Sequence, residues 1–144
     1  MKFQHTMAVT PQWDKALVDP IAVIRCIPGV QSVEPEGPMS YAICVTTGIG
    51  PIRFRLEGKA AIESPDPHRW GARVTLHERL AGTIYGYFEL GEAEEQMLAI
   101  TADVTLGGRL GELAQPLLRK KAADMVRGFQ GNFLNLLTQL NSNK

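Results

Sequence analysis

The sequence has no excess of charge of either sign, because its 15 lysines and arginines are balanced by 15 aspartates and glutamates. Binding to nucleic-acid phosphates depends on lysine and arginine contacts, so this balance removes the simplest case for a nucleic-acid partner. Long hydrophobic runs are also missing, since no stretch approaches the roughly 18 apolar residues that a membrane-spanning helix needs. The first residues contain no apolar segment typical of a secretion signal. We therefore expect a cytoplasmic protein.

Cysteine and histidine are scarce. The two cysteines, Cys26 and Cys44, are too few for a disulfide framework, and we interpret both as structural. His5, His68 and His77 follow no spacing typical of zinc ligands, so we predict no metal site. A nucleophile motif around serine and a phosphate-binding glycine loop are absent as well, so we predict no catalytic residue and no cofactor.

Alternating polar and apolar residues run through most of the sequence and indicate β-strands. In the first strand, Phe3, His5 and Met7 fall on one side. Further alternating segments cover residues 41–49, 52–63, 69–77, 83–90 and 98–106, and a polar turn is expected at 91–95. Because the alternation repeats with one apolar side, it predicts an antiparallel sheet with one packed face.

Helical signals come before and after these strands. Proline near the first helical position predicts two short helices, one over about Pro11–Val18 and one over about 19–26. After residue 108 the apolar period lengthens to that of a helix, predicted from Pro116 to Leu140. Its apolar stripe consists of Leu118, Ala122, Met125, Phe129, Phe133, Leu136 and Leu140. The order predicts one α+β domain over residues 1–144, with a curved antiparallel sheet closing on the long C-terminal helix.

Three segments resemble one family. The first segment is similar to the end of the second helix and the start of the second strand in the CoxG family, and consists of Asp19-Pro20, Arg25-Cys-Ile-Pro-Gly29 and Val33-Glu34. This family, the G subunit of carbon monoxide dehydrogenase, belongs to the START-like, or SRPBCC, superfamily. Gly50-Pro-Ile-Arg-Phe-Arg-Leu-Glu-Gly58-Lys59, with Asp66-Pro67, resembles the family's third-to-fourth-strand segment. Gly107-Gly-Arg-Leu-Gly-Glu-Leu113 resembles its approach to the C-terminal helix. The resemblance covers about Val9 to Leu140.

The resemblance implies a helix-grip fold, with two short helices between the first two strands and a hydrophobic cavity between sheet and helix. It also implies a non-enzymatic accessory protein that binds a hydrophobic molecule (a quinone, a lipid or an isoprenoid) and acts with a molybdenum-containing CO dehydrogenase complex. Members of the family often continue into a membrane-binding tail. Because this sequence ends at Lys144, we expect at most peripheral contact with a membrane.

Residues on the predicted inward stripes are the candidates for lining a ligand cavity. They are His5, Phe54, Leu56, Trp70, Val74, Tyr85, Phe88, Met125, Phe129 and Phe133. The aromatic members either interdigitate in a packed core or surround a cavity, and small inward residues such as Gly58, Ala60 and Ala72 favour the cavity. His5 is either a hydrogen-bonded core residue or a polar contact to the ligand.

Two other functions are compatible with the same sequence. The superfamily also contains cyclases, dehydratases and hydrolases, which need an acid–base pair facing the cavity. The third possibility is an assembly module that binds a client protein. Two basic clusters, Arg53 with Arg55 and Arg119-Lys120-Lys121 with Arg127, are interpreted as solvated charged faces or as docking sites for anionic lipid or an acidic partner.

Overall fold

The fold is an antiparallel sheet with one long C-terminal helix, as a computed structural model of the chain shows. The structure describes residues 1–9, 13–49, 51–66, 68–113 and 115–142. The strands are β1 (Lys2–Ala8), β2 (Val30–Gly37), β3 (Ser40–Ile49), β4 (Ile52–Asp66), β5 (Arg69–Glu78), β6 (Gly82–Glu94) and β7 (Met97–Gly107). The α-helices are α1 (Pro20–Ile24) and α2 (Gln115–Ser142), and 3₁₀ helices cover Trp13–Val18 and Gly108–Glu112. This confirms the predicted α+β layout.

The seven strands form one sheet in the order β1-β7-β6-β5-β4-β3-β2, and every neighbouring pair is antiparallel. Strands β2 to β7 follow one another as a meander, whereas β1 pairs with β7 at the far edge. The first 3₁₀ helix and α1 therefore connect the two edges of the sheet. None of the helices in the described ranges is long and apolar enough to cross a membrane.

The second short helix begins where the sequence predicts it. Asp19 caps α1, because its carboxylate Oδ1 accepts a hydrogen bond from the backbone N–H of Ala22 at 3.3 Å. Pro20 follows at the first helical position, where its missing N–H costs nothing. The predicted start of the first short helix, at Pro11, lies outside the described residues.

Gly58 in β4 lies very close to the neighbouring strand β5. A Cβ atom on Gly58 would overlap the backbone carbonyl oxygen of Thr75 on β5. The absence of a side chain at Gly58 therefore lets β5 approach closely, which differs from the expectation that this glycine leaves room for a ligand. Glycines at such positions are one of the ways in which a sheet can gain the curvature that lets it wrap around a helix.

The polar turn expected at 91–95 is wrong. Strand β6 continues to Glu94, which pairs with Met97 of β7 after a register irregularity between Glu92 and Glu94. The reversal is left to Glu95 and Gln96, and Gln96 has a positive φ of 60°. Glu92 and Glu94 lie in the extended strand and are exposed to solvent. Acidic residues therefore occur here because the strand is solvated, and they do not mark a turn.

Candidate functional site

The inner face of the sheet and the facing side of α2 are apolar. Of the expected lining residues, Phe54, Leu56, Trp70, Val74 and Phe133 are buried in the core, and His5, Phe88, Met125 and Phe129 are partly buried. Whether these residues line a ligand site stays a prediction.

Tyr85 lies on the opposite face of the sheet, where it is 53% exposed. In β6 the inward positions are Ile84, Gly86, Phe88 and Leu90, and Tyr85 alternates with them. Its expected interior position is therefore wrong. Tyr87 shares the outer face, with the guanidinium of Arg73 at 5.0 Å from its ring centroid. Partial burial and a hydrogen bond to Glu89 raise the pKa of Tyr87.

One row across the inner face carries polar groups at its two ends. Cross-strand pairing places Trp70, Leu90, Ile100 and His5 side by side on β5, β6, β7 and β1. His5 Nε2 forms a 2.6 Å hydrogen bond with Oε1 of Gln130, which ties β1 to α2. At the other end, the buried indole N–H of Trp70 has no hydrogen-bond acceptor among the described residues.

Small residues occupy the middle of the inner face. Ala60, Ala72 and Ala102 are buried there, and a Cβ on Gly86 would lie 2.7 Å from the Phe88 ring. The backbone of α2 approaches mainly the first 3₁₀ helix, β1 and β3 rather than the central strands. The sheet thus curves around the helix, and the backbone of α2 stays farther from the central strands than from the sheet's two sides.

A cleft of about 520 Å³ opens at one end of this interior. It is bounded by the loop between α1 and β2, the hairpin of β3 and β4, and the N-terminal half of α2. The lining residues are Pro28, Gly29, Thr46, Thr47, Gly48, Arg53, Phe54, Arg55, Lys121 and Met125. Phe54 belongs to the apolar face of the sheet and Met125 to the apolar stripe of α2, so the cleft borders both faces.

The loop side of the cleft is held by backbone contacts. Gly29 adopts a φ of +89°, which an L side chain rarely tolerates, and its carbonyl oxygen accepts a hydrogen bond from the backbone N–H of Thr46 at 2.9 Å. On the helix side, Gly128 of α2 lies so close to Pro28 that an added Cβ would be 2.5 Å from the proline ring. These contacts bring the loop against both the sheet and the helix.

Three of the residues that line the cleft are basic, and they come from two clusters that are separate in the sequence. Arg53 and Arg55 come from β4, and Lys121 comes from α2. Both clusters are visible in the sequence, but nothing in the alternation of β4 or the period of α2 indicates that they meet. Their convergence depends on where the hairpin lies relative to the helix.

The second half of α2 is fixed to the loop after α1. The side-chain amide of Asn132 donates a 2.8 Å hydrogen bond to the backbone carbonyl of Cys26. Burial raises the pKa of the Cys26 thiol from 9.0 to about 11, and the thiol donates to the carbonyl of Ala22. Cys26 and Cys44 are both free and buried. No group of three or more metal-ligating side chains occurs among the residues that the structure describes.

The fold is shared with solved structures of low sequence identity. A conserved protein from Geobacillus kaustophilus aligns with a TM-score of 0.77 at 17% identity, covering 96% of this chain and 94% of that one. The Zhui aromatase/cyclase from a Streptomyces species gives 0.68 at 13% identity, with 96% and 94% covered. The major latex-like protein 151 from Panax ginseng gives 0.61 at 14% identity, with 94% and 95% covered. These likenesses confirm the helix-grip fold.

Sequence comparisons identify the family. No curated protein sequence matches the chain. A sequence model of one protein family, described as the G subunit of carbon monoxide dehydrogenase (CoxG), matches residues 7–137, which is most of the chain. The match includes β4 and the cleft as well as nearly all of α2. The chain therefore belongs to the CoxG family.

Proposed function

We propose that this protein binds an apolar small molecule, such as a quinone, an isoprenoid or a lipid, between the inner face of the sheet and α2, without changing it chemically. The supporting observation is the apolar interior itself. Two apolar faces enclose it, the centre of the sheet carries small side chains, and the cleft opens at one end. The fold of the family is compatible with binding a hydrophobic molecule at this place.

The energy for such binding comes from removing apolar surface from water. A ligand that buries about 300 Å² of apolar surface gains about 7 kcal/mol before the cost of immobilising it. The His5–Gln130 hydrogen bond lies at one margin of the apolar row and gives a ligand a polar group for orientation. The binding is thus mainly non-directional, with few polar contacts.

An enzyme that acts on an apolar substrate in the same interior is the competing function. Such a reaction needs an acid–base pair, but His5 is hydrogen-bonded to an amide, Gln130, rather than to a carboxylate. The buried residues among those described include no charged side chain. We therefore favour a binding protein.

The proposal is tested by native mass spectrometry of freshly purified protein, followed by organic extraction of the bound molecule. Adjacent alanines on opposite faces of β4 provide matched variants, since Ala60 is buried inside and Ala61 is exposed outside. Ala60→Leu fills the interior and should abolish the adduct. Ala61→Leu adds the same side chain to the outer face and should retain it.

The expected result is a stoichiometric apolar adduct in the wild type and in Ala61→Leu only. A wild type that carries no adduct and takes up no ubiquinone, menaquinone or phospholipid on incubation contradicts the proposal. Recovery of a molecule that differs covalently from the one supplied establishes the enzyme instead. Because the wild type alone decides these points, misfolding of Ala60→Leu does not affect the conclusion.

The partner enzyme and the cellular location are the further parts of this proposal. The description of the family includes a carbon monoxide dehydrogenase, and we propose an enzyme complex of that type as the partner. Co-purification of the tagged chain with the large subunit of such an enzyme tests this part. A location in the cytoplasm stays a prediction.

A further inference from the structure

The cleft carries positive charge, and the binding of a purely apolar ligand gives this charge no role. The lining includes Arg53, Arg55 and Lys121 and no aspartate or glutamate among the described residues. The whole chain carries equal numbers of basic and acidic residues. A concave surface with three cations is therefore a local departure from the average, and such a surface attracts an anion.

Two of the three cations have no partner within the described part of the chain. Neither Arg53 nor Lys121 forms an ion pair or a side-chain hydrogen bond there, and they come from different elements. Arg55 differs, because its guanidinium lies 3.7 Å from the carboxylate of Glu57 and both side chains are largely exposed. Glu78 accepts a hydrogen bond from the backbone N–H of Arg55. The acidic residues nearby thus contact Arg55.

The rest of the lining suits the other end of an amphiphile. Phe54 is buried on the inner face of the sheet, and Met125 lies on the stripe of α2 that faces it. A molecule with its polar head at Arg53 and Lys121 therefore has the apolar side chains of Phe54 and Met125 in the same cleft. The cleft volume of about 520 Å³ lies within the usual range for small-molecule sites.

We propose that the cleft binds the anionic head, a carboxylate or a phosphate, of an amphiphilic ligand, with Arg53 and Lys121 as the recognising cations. This inference rests on the proposed function, because the apolar part of the same ligand occupies the interior. Arginine and lysine form charge-assisted hydrogen bonds with either head group. The ligand is held as a single molecule, since a concave cleft encloses one head group rather than a lipid surface.

The test compares a charged probe with its neutral counterpart. Binding of the fluorescent fatty acid cis-parinaric acid and of its methyl ester is measured by titration at pH 8 in low salt. We expect the wild type to bind the acid roughly tenfold more tightly than the ester. The double variant Arg53→Gln/Lys121→Gln should bind both probes with the affinity of the ester.

A matched control removes the same number of charges from outside the cleft. Arg119 and Lys120 are exposed, precede Lys121 on α2 and do not line the cleft. The variant Arg119→Gln/Lys120→Gln should keep the preference for the acid. An equal loss in both double variants means that the net charge of the chain sets the preference, and this overturns the inference.

Competitors distinguish the sources of the anion. Dodecyl phosphate should displace the bound acid from the wild type, and inorganic phosphate at the same concentration should not. Displacement by inorganic phosphate alone means that the cleft binds a free anion, which contradicts the inference. The inference is also wrong if the cleft variant loses sedimentation with phosphatidylglycerol vesicles but retains the acid preference, because the cations then serve a membrane surface.

The failures of the two proposals are distinguishable. Equal binding of acid and ester by the wild type overturns the role of the cleft and leaves the binding of apolar molecules intact. Binding of neither probe, together with the absence of an adduct in native mass spectrometry, overturns both.

Discussion

The two halves of α2 are packed differently. In the second half, Phe133 and Leu137 are 0% and 3% exposed, and Asn132 is hydrogen-bonded to the backbone of Cys26. In the first half, taken as residues 115–130, only Leu118 is buried, and Met125 and Phe129 are partly buried. One end of the helix is thus anchored in the core, and the other end forms a wall of the cleft.

Within this one helix, the second half contributes to the stability of the fold, and the first half borders the cleft through which a ligand would enter. Local opening requires least free energy where few apolar contacts are buried, so we expect the first half of α2 to open more readily than the second half. The proposed apolar ligand would then enter past the cleft while the second half of α2 keeps the helix on the sheet. The following predictions test this division, beginning with the largest effect.

The stacked rings of Phe129 and Phe133 give the most direct comparison. Their centroids are 5.6 Å apart, but only Phe133 is completely buried. We expect Phe133→Ala to lower the free energy of unfolding by about 3–5 kcal/mol, and Phe129→Ala by about 1 kcal/mol, because a cavity forms only at the buried site. Urea denaturation followed by circular dichroism measures both. Equal losses would mean that the two halves of α2 are anchored alike.

Ionisation of Cys26 tests the anchored half at high pH. Because the pKa of this thiol is about 11 in the folded chain and 9.0 ordinarily, the folded state holds the proton between these values and the unfolded state releases it. The stabilisation that the buried neutral thiol provides is therefore fully present below pH 9. It decreases by about 2 kcal/mol as the pH rises towards 11. Cys26→Ala removes this contribution.

The measurement is urea denaturation of the wild type and Cys26→Ala at pH 8, 9.5 and 10.5. The stability difference between them should shrink steadily as the pH rises. Tyr87 also titrates at high pH, but it is present in both proteins and cancels. A difference that stays constant across this range would show that burial does not hold the thiol neutral.

Two glycines of α2, Gly128 and Gly131, lie near the boundary between its two halves and can be compared by substitution. Gly131 has open space around its Cβ position, whereas a Cβ on Gly128 would press against the ring of Pro28. Alanine is favoured over glycine in a helix, so Gly131→Ala should stabilise the protein by about 0.5–1 kcal/mol. Gly128→Ala should lose this gain and about 1 kcal/mol more, because the proline ring must move. Thermal unfolding of both variants is the measurement; similar stabilisation by both would show that Pro28 does not fix the helix.

Much of the fold is predictable from the sequence because it depends on local periodicity. Alternation with a period of two identifies the strands, and the change of period after residue 108 identifies α2. The two faces of β6 are harder to assign from the sequence, because aromatic residues occupy both of them. A large aromatic residue such as Tyr85 is therefore easily placed in the interior. The extension of β6 to Glu94 depends on pairing with β7, which local composition does not determine.

The candidate site is only partly predictable for a similar reason. The sequence pattern predicts Phe54 and Met125 on inward stripes, and both line the cleft. Arg53 and Lys121 line the same cleft although they are far apart in the chain, and no spacing in the sequence encodes this. The alternation predicts which way a side chain faces, whereas the cleft depends on how separate elements are arranged in space.

The pairing of β1 with β7 has a consequence for how the chain folds. Met1 donates a hydrogen bond to the carbonyl of Val104, 103 residues later, so the first strand cannot join the sheet until β7 has been synthesised. Contacts of such long range place a protein among the slower folders, on a timescale of about milliseconds to seconds. Until β7 emerges from the ribosome, the first strand has no pairing partner, and we expect the nascent chain to be most prone to aggregation during that interval.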